Sequence, residues 1–99
     1  MIMISLENMF KINVDGNFLT EIHIKENDFV YVLKLEKVDY ETLVSSLIGI
    51  KYNSDKMQAI INNYLLDADD ELVLQEFNAM QGYRKHCKLI AKQILESIK

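Results

Sequence analysis

Phe10-Lys11-Ile12-Asn13-Val14-Asp15-Gly16-Asn17-Phe18-Leu19-Thr20-Glu21-Ile22-His23-Ile24 is the stretch that decides the fold. Apolar and polar residues alternate on both sides of Asp15-Gly16-Asn17, the period of a strand, and Asp-Gly is a hairpin-turn signal. A two-residue loop would set Ile12 opposite Leu19 but Phe10 opposite Glu21. A three-residue loop sets Val14 opposite Phe18, Ile12 opposite Thr20 and Phe10 opposite Ile22. Only the second gathers the apolar side chains on one face, and a slip of one residue inverts a strand. The three-residue register is therefore expected, with Asn17 in the left-handed conformation that ends such loops.

The same reasoning extends across Lys25-Glu26-Asn27-Asp28. A four-residue loop pairs Ile24 with Phe29, Ile22 with Tyr31, Thr20 with Leu33 and Phe18 with Leu35. One face of a three-stranded antiparallel meander then carries Phe10, Ile12, Val14, Phe18, Ile22, Ile24, Phe29, Tyr31, Leu33 and Leu35. The other is mixed, with Leu19, Val30 and Val32 as a small apolar patch among Lys11, Asn13, Glu21, His23 and Lys34. Ile2, Ile4 and Leu6 share the parity of the first strand, and either extend it or form an edge strand.

From Asp39 onward the period becomes helical. Asp39 caps a helix whose apolar residues are Tyr40, Leu43, Val44, Leu47 and Ile48, with Gly49 just past its end. Asn53 or Ser54 caps a second, with Met57, Ile60, Ile61, Tyr64 and Leu65 inward. A third starts at Asp67 to Asp70 and runs to about Ile98, on a stripe of Val73, Phe77, Met80, Tyr83, Cys87, Ile90, Ala91, Ile94 and Ile98. Gly82 lies within it, at a cost of about 1 kcal/mol against alanine, and marks either a break or a close packing contact. The expected fold is α+β: an N-terminal three-stranded antiparallel β-meander (1–37) against two short helices and one long C-terminal helix (38–99). Neither part buries its apolar face alone, so 1–99 is one domain.

At 99 residues, with about half the residues apolar and a formal charge of −4, the composition is that of an ordinary globular domain. The acidic balance opposes non-specific binding to nucleic acid or anionic membranes. No run of 18 apolar residues offers a membrane span, and Met1 to Leu6 lacks the basic and apolar regions of a signal peptide. The single cysteine, Cys87, has no internal disulfide partner. A cytoplasmic setting, in a bacterium or a phage-infected host cell, is the expectation.

Reactive constellations are scarce. Asp67, Asp69 and Glu71 open like a calcium loop, but Leu72 and Asn78 stand where such a loop needs glycine and glutamate. His86 and Cys87 are helix neighbours that diverge by about 100°, and the other histidine, His23, is on a strand. Asp69-Asp70 and Asp39-Glu41 occupy capping positions. No phosphate loop or nucleophile triad is present. The expectation is a protein that is not an enzyme, with no catalytic residue, cofactor, metal or small-molecule substrate.

Two surfaces remain. A third helix of about 30 residues would be near 45 Å long, more than a small sheet can cover. Ile90, Ile94, Leu95 and Ile98 at its far end form an apolar group suited to self-association, the simplest form being a two-fold homodimer. Arg84, Lys85, Lys88 and Lys92 are the candidate phosphate contacts of an alternative reading, a small nucleic-acid-binding regulator using the helical half.

Lys51-Tyr52-Asn53-Ser54, Ala59-Ile60, Glu76-Phe77-Asn78, Cys87-Lys88 and Ala91-Lys92 carry a resemblance over residues 44–92. The chain resembles a group of small uncharacterised proteins encoded by phages and prophages of gut bacteria. Those proteins enter a helix at Tyr-Ser, which Asn53 interrupts here, and end a long helix in Cys-Lys-x-x-Ala-Lys. The resemblance implies a genomic setting rather than a reaction. The functional expectation is a non-enzymatic protein–protein interaction module, accessory or assembly in kind, that binds a protein partner or itself.

Overall fold

A computed structural model describes residues 4–98 of the chain. Ile2, considered above as part of the first strand, lies outside the described residues. The α+β architecture is as expected. Strands β1 (Ser5–Val14), β2 (Asn17–Glu26) and β3 (Phe29–Leu35) form an antiparallel meander, followed by helices α1 (Tyr40–Gly49), α2 (Ser54–Leu66) and α3 (Glu71–Ile98).

The hairpin registers differ from the expected ones, with opposite consequences at the two turns. Val14 pairs with Asn17 and Phe10 with Glu21, so the first loop has two residues, Asp15 and Gly16. Both have positive φ, 53° and 85°, as a type I′ turn requires, and such a turn matches the right-handed twist of its strands. Asn17 is not left-handed but opens β2. Phe10, Ile12 and Val14 consequently point away from the helices, and Phe10 is not buried beneath them.

A β-bulge keeps the start of β1 in phase with the core. The register shifts between Leu6 and Asn8, so Leu6 pairs with Ile24 while Met9 pairs with Ile22. The extra residue reverses parity along the strand. Ile4, Leu6 and Met9 then face the helices, whereas Asn8, Phe10, Ile12 and Val14 face out. The Asn8 side chain accepts from the Met9 N–H at 2.9 Å, satisfying backbone where the ladder is disturbed.

At the second turn the loop is also two residues, and Asn27 takes a positive φ of 53°. Ile24 pairs with Tyr31, Ile22 with Leu33 and Thr20 with Leu35. The slip from the expected register is two residues, an even number, so Tyr31, Leu33 and Leu35 keep their expected face.

The helices begin where their caps place them. Asp39 accepts from Thr42 N at 2.8 Å, Asn53 from Lys56 N at 2.7 Å, and Asp70 from Leu72 N and Val73 N. α3 runs unbroken through Gly82 for 28 residues, about 42 Å. Its C-terminal part lies on the sheet and on α1. There Ile4, Ile22, Ile24, Leu43, Leu47, Tyr83, Cys87, Ile90, Ala91 and Ile94 form the core. Each large aliphatic side chain among them stabilises by about 1.5–3 kcal/mol on burial. The N-terminal part of α3 extends beyond the sheet and is covered by α2. Ile60 and Met80 are buried between these two helices, and Tyr64 stacks on Phe77 with ring centroids 3.9 Å apart.

Candidate functional site

With all three helices on one side, the sheet has an outer face that no described element covers. β1 contributes Phe10, Ile12 and Val14, β2 contributes Leu19, Glu21, His23 and Lys25, and β3 contributes Val30, Val32 and Lys34. Phe10, Val14, Val30 and Val32 are 39–49% exposed, although strand residues with large apolar side chains ordinarily find cover. Cross-strand pairing sets Ile12 opposite Leu19, and Glu21 between Phe10 and Lys34.

A polar strip crosses the middle of this face. His23 Nε2 lies 2.8 Å from Glu21 Oε2, and Lys34 Nζ is 4.0 Å from Glu21 Oε1. The Phe10 ring meets the His23 ring edge-on, with centroids 5.3 Å apart. Glu21, its side chain 17% exposed, is thus flanked by a histidine and a lysine. Glu21 and Lys34 offset one another, with Ile12 and Leu19 on one side of the strip and Val30 beside the exposed Lys25 on the other.

A second group of polar side chains lies at the edge of the core around Tyr83. The Tyr83 hydroxyl donates to the Leu47 carbonyl at 2.6 Å, and Lys51 sits 5.3 Å from the centre of the Tyr83 ring while pairing with Glu26. Burial raises the Tyr83 hydroxyl far above its ordinary range and pushes the Cys87 thiol up to about 11. A thiol held protonated at neutral pH and wholly enclosed acts as a small apolar group. His86 Nε2 lies 2.6 Å from the Ile4 carbonyl, tying α3 to the start of β1. Among the described residues, no three His, Cys, Asp or Glu side chains gather as metal ligands would. No helix among the described residues is long and apolar enough to cross a membrane.

The residues anticipated for self-association do not form one exposed patch. Ile90 and Ile94 are buried in the chain's own core and Leu95 packs against it. Ile98 alone is substantially exposed, beside an open groove of about 830 Å³ lined by Met9, Phe18 and Val38. The physical reason is that the opposite end of α3 overhangs the sheet. Of the basic residues, Arg84 is half-buried, donates to Gln81 at 3.2 Å and lines a groove beside the start of α2. Lys85, Lys88 and Lys92 are exposed.

The outward placement of Phe10, Ile12 and Val14 had a signal in the chain. Leu6-Glu7-Asn8-Met9 breaks strict alternation by placing two polar residues together, and that phase break is where the bulge forms. The fold and its open face define an α+β domain with a one-sided helical layer. No protein-family model, curated protein or solved structure matches the chain.

Proposed function

We propose that the chain is a non-enzymatic protein-interaction module whose working surface is the outer face of the sheet. One observation carries this reading: four large apolar side chains, Phe10, Val14, Val30 and Val32, remain exposed on a face that no described element covers. An exposed apolar area on a folded domain is a characteristic of binding surfaces. Glu21 and Lys34 offset one another and Lys25 adds a positive charge beside Val30, which favours a largely apolar partner surface with acidic groups at its margin. The resemblance over residues 44–92 adds a phage or prophage setting and an accessory or assembly role to the proposal.

Affinity capture from a bacterial lysate tests it, comparing the wild type with a Val30→Lys/Val32→Lys variant whose fold is verified by circular dichroism. A stoichiometric partner held by the wild type and lost by the variant is the expected result. A partner retained equally by both overturns the outer-face reading.

The nucleic-acid reading keeps one supporting observation. Lys85, Lys88 and Lys92 are all exposed, and their spacing of three and seven residues places them along one side of α3. Phosphate contacts of that kind would give affinity that falls steeply with salt. Duplex binding at about 50 mM salt, abolished by changing the three lysines to glutamine, would favour that reading over the first; no measurable binding is expected.

A further inference from the structure

β3 is an open sheet edge. In the order β1-β2-β3, one side of Phe29–Leu35 pairs with β2, and among the described residues no strand pairs with the other. Backbone N–H and C=O groups presented along a free edge are a template for another strand unless a bulge, proline or charges blunt it. The opposite edge is blunted, because β1 carries the bulge before Asn8 as well as Glu7 and Lys11. β3 has none of these devices except one lysine. Its ladder to β2 is uninterrupted from Glu26–Phe29 to Thr20–Leu35, it lacks proline, and Lys34 is its sole charge. The helical layer also thins over it. Ile22 and Ile24 are wholly covered, whereas Tyr31, Leu33 and Leu35 are half-buried and Phe29 is 69% exposed.

Charge selects both occupant and register. A second β3 laid antiparallel, with a two-fold axis at Tyr31, sets Val30 opposite Val32 of the other copy and Phe29 opposite its Leu33. It also brings Asp28, in the turn just before the strand, next to Lys34 of the other copy, twice by symmetry. Moving the axis to Val32 would instead oppose the apolar Val30 to Lys34 and bring Asp28 next to Glu36, the residues just outside either end of the strand. Opposite charges facing one another between paired strands are stabilising and like charges destabilising. We propose that the chain self-associates through β3, two copies pairing antiparallel about Tyr31 to make one continuous six-stranded sheet. This dimer stands independently of the partner reading above. It would place Val30 and Val32 of both copies side by side on a doubled outer face.

Sedimentation equilibrium of the full chain tests the proposal by charge reversal. The wild type is expected to approach twice 11.6 kDa as concentration rises. Lys34→Glu or Asp28→Lys alone should weaken association about tenfold or more, since symmetry counts each change twice. The Asp28→Lys/Lys34→Glu double variant should return to within about threefold of the wild type. Both side chains are exposed, so the fold tolerates the changes. Lys34→Glu also removes the contact with Glu21 of its own chain, which the double variant does not restore. Rescue therefore reports pairing between copies. A wild type that stays at 11.6 kDa up to about 1 mM, single variants as tight as the wild type, or a double variant that remains weak would each overturn it.

Discussion

Replacing Tyr83 by phenylalanine isolates a single buried hydrogen bond. The tyrosine is 5% exposed, and its hydroxyl donates to the Leu47 carbonyl at 2.6 Å, fastening α3 to α1. Phenylalanine keeps the ring, and with it the tilted contact to Tyr52 at 5.6 Å between centroids and the Lys51 ammonium at 5.3 Å. The loss is thus one neutral hydrogen bond, about 0.5–1.5 kcal/mol net. The Leu47 carbonyl is not orphaned, because the Ile50 N–H also reaches it at 3.3 Å. That second donor places the expected cost near 1 kcal/mol, about 4–8 °C in Tm for a domain of this size. Tyr83→Leu removes the ring as well. Losing an aromatic contact worth about 0.5–1.5 kcal/mol and a cation–π contact of about 0.5–1 kcal/mol should raise the cost to about 2–4 kcal/mol. Urea unfolding followed by far-ultraviolet circular dichroism measures both, with an unchanged slope confirming that only stability has moved. Equal costs for the two variants, or a Tyr83→Phe cost above about 3 kcal/mol, would refute this division between hydroxyl and ring.

Two further outcomes are expected. Asn53→Ala should cost about 1 kcal/mol in urea unfolding, since it removes the acceptor for Lys56 N, whereas Asn53→Ser should recover most of that loss. Stability should be level across neutral pH with respect to Cys87 and decline as pH rises from about 9 toward about 11: the folded thiol holds its proton to about 11, while the unfolded thiol ionises near its ordinary value and draws the equilibrium toward unfolding. A pH series of unfolding midpoints checks this, and Cys87→Ala, which does not ionise, should show a shallower decline.

What the chain revealed and what it concealed have separate physical causes. The helices were legible because their caps and periods are local: Asp39 and Asn53 accept the N–H groups expected of them. α1 buries Leu43, Leu47 and Ile48 of its anticipated stripe, whereas α2, packed on the overhanging part of α3, buries Ile60 alone and leaves Leu65 73% exposed. The second turn tolerated an error because the slip was even, leaving Tyr31 and Leu33 on their face. The first did not, because parity reasoning assumed an unbroken strand while β1 absorbs an extra residue between Leu6 and Asn8. The face assembled from that assumption held Phe10, Ile12 and Val14 inside, which hid the candidate site. Length alone showed that α3 must overhang the sheet without showing which end. Tertiary packing buries Ile90 and Ile94 at one end and covers Phe77 and Met80 with α2 at the other. Gly82 remains within the helix because a single glycine costs less than its neighbours' packing supplies.

The bulge-and-turn register that turns Phe10 outward underlies the open face, and thiol labelling of a Phe10→Cys variant tests it most directly. Native Cys87, fully buried with its thiol pushed up to about 11, is an internal reference within the same molecule. In native buffer near pH 8, the introduced thiol is expected to be modified rapidly and Cys87 not at all until denaturant is added. Protection of position 10 to the same degree as Cys87 would return Phe10 to the core, restore the three-residue hairpin loop and contradict the open sheet face.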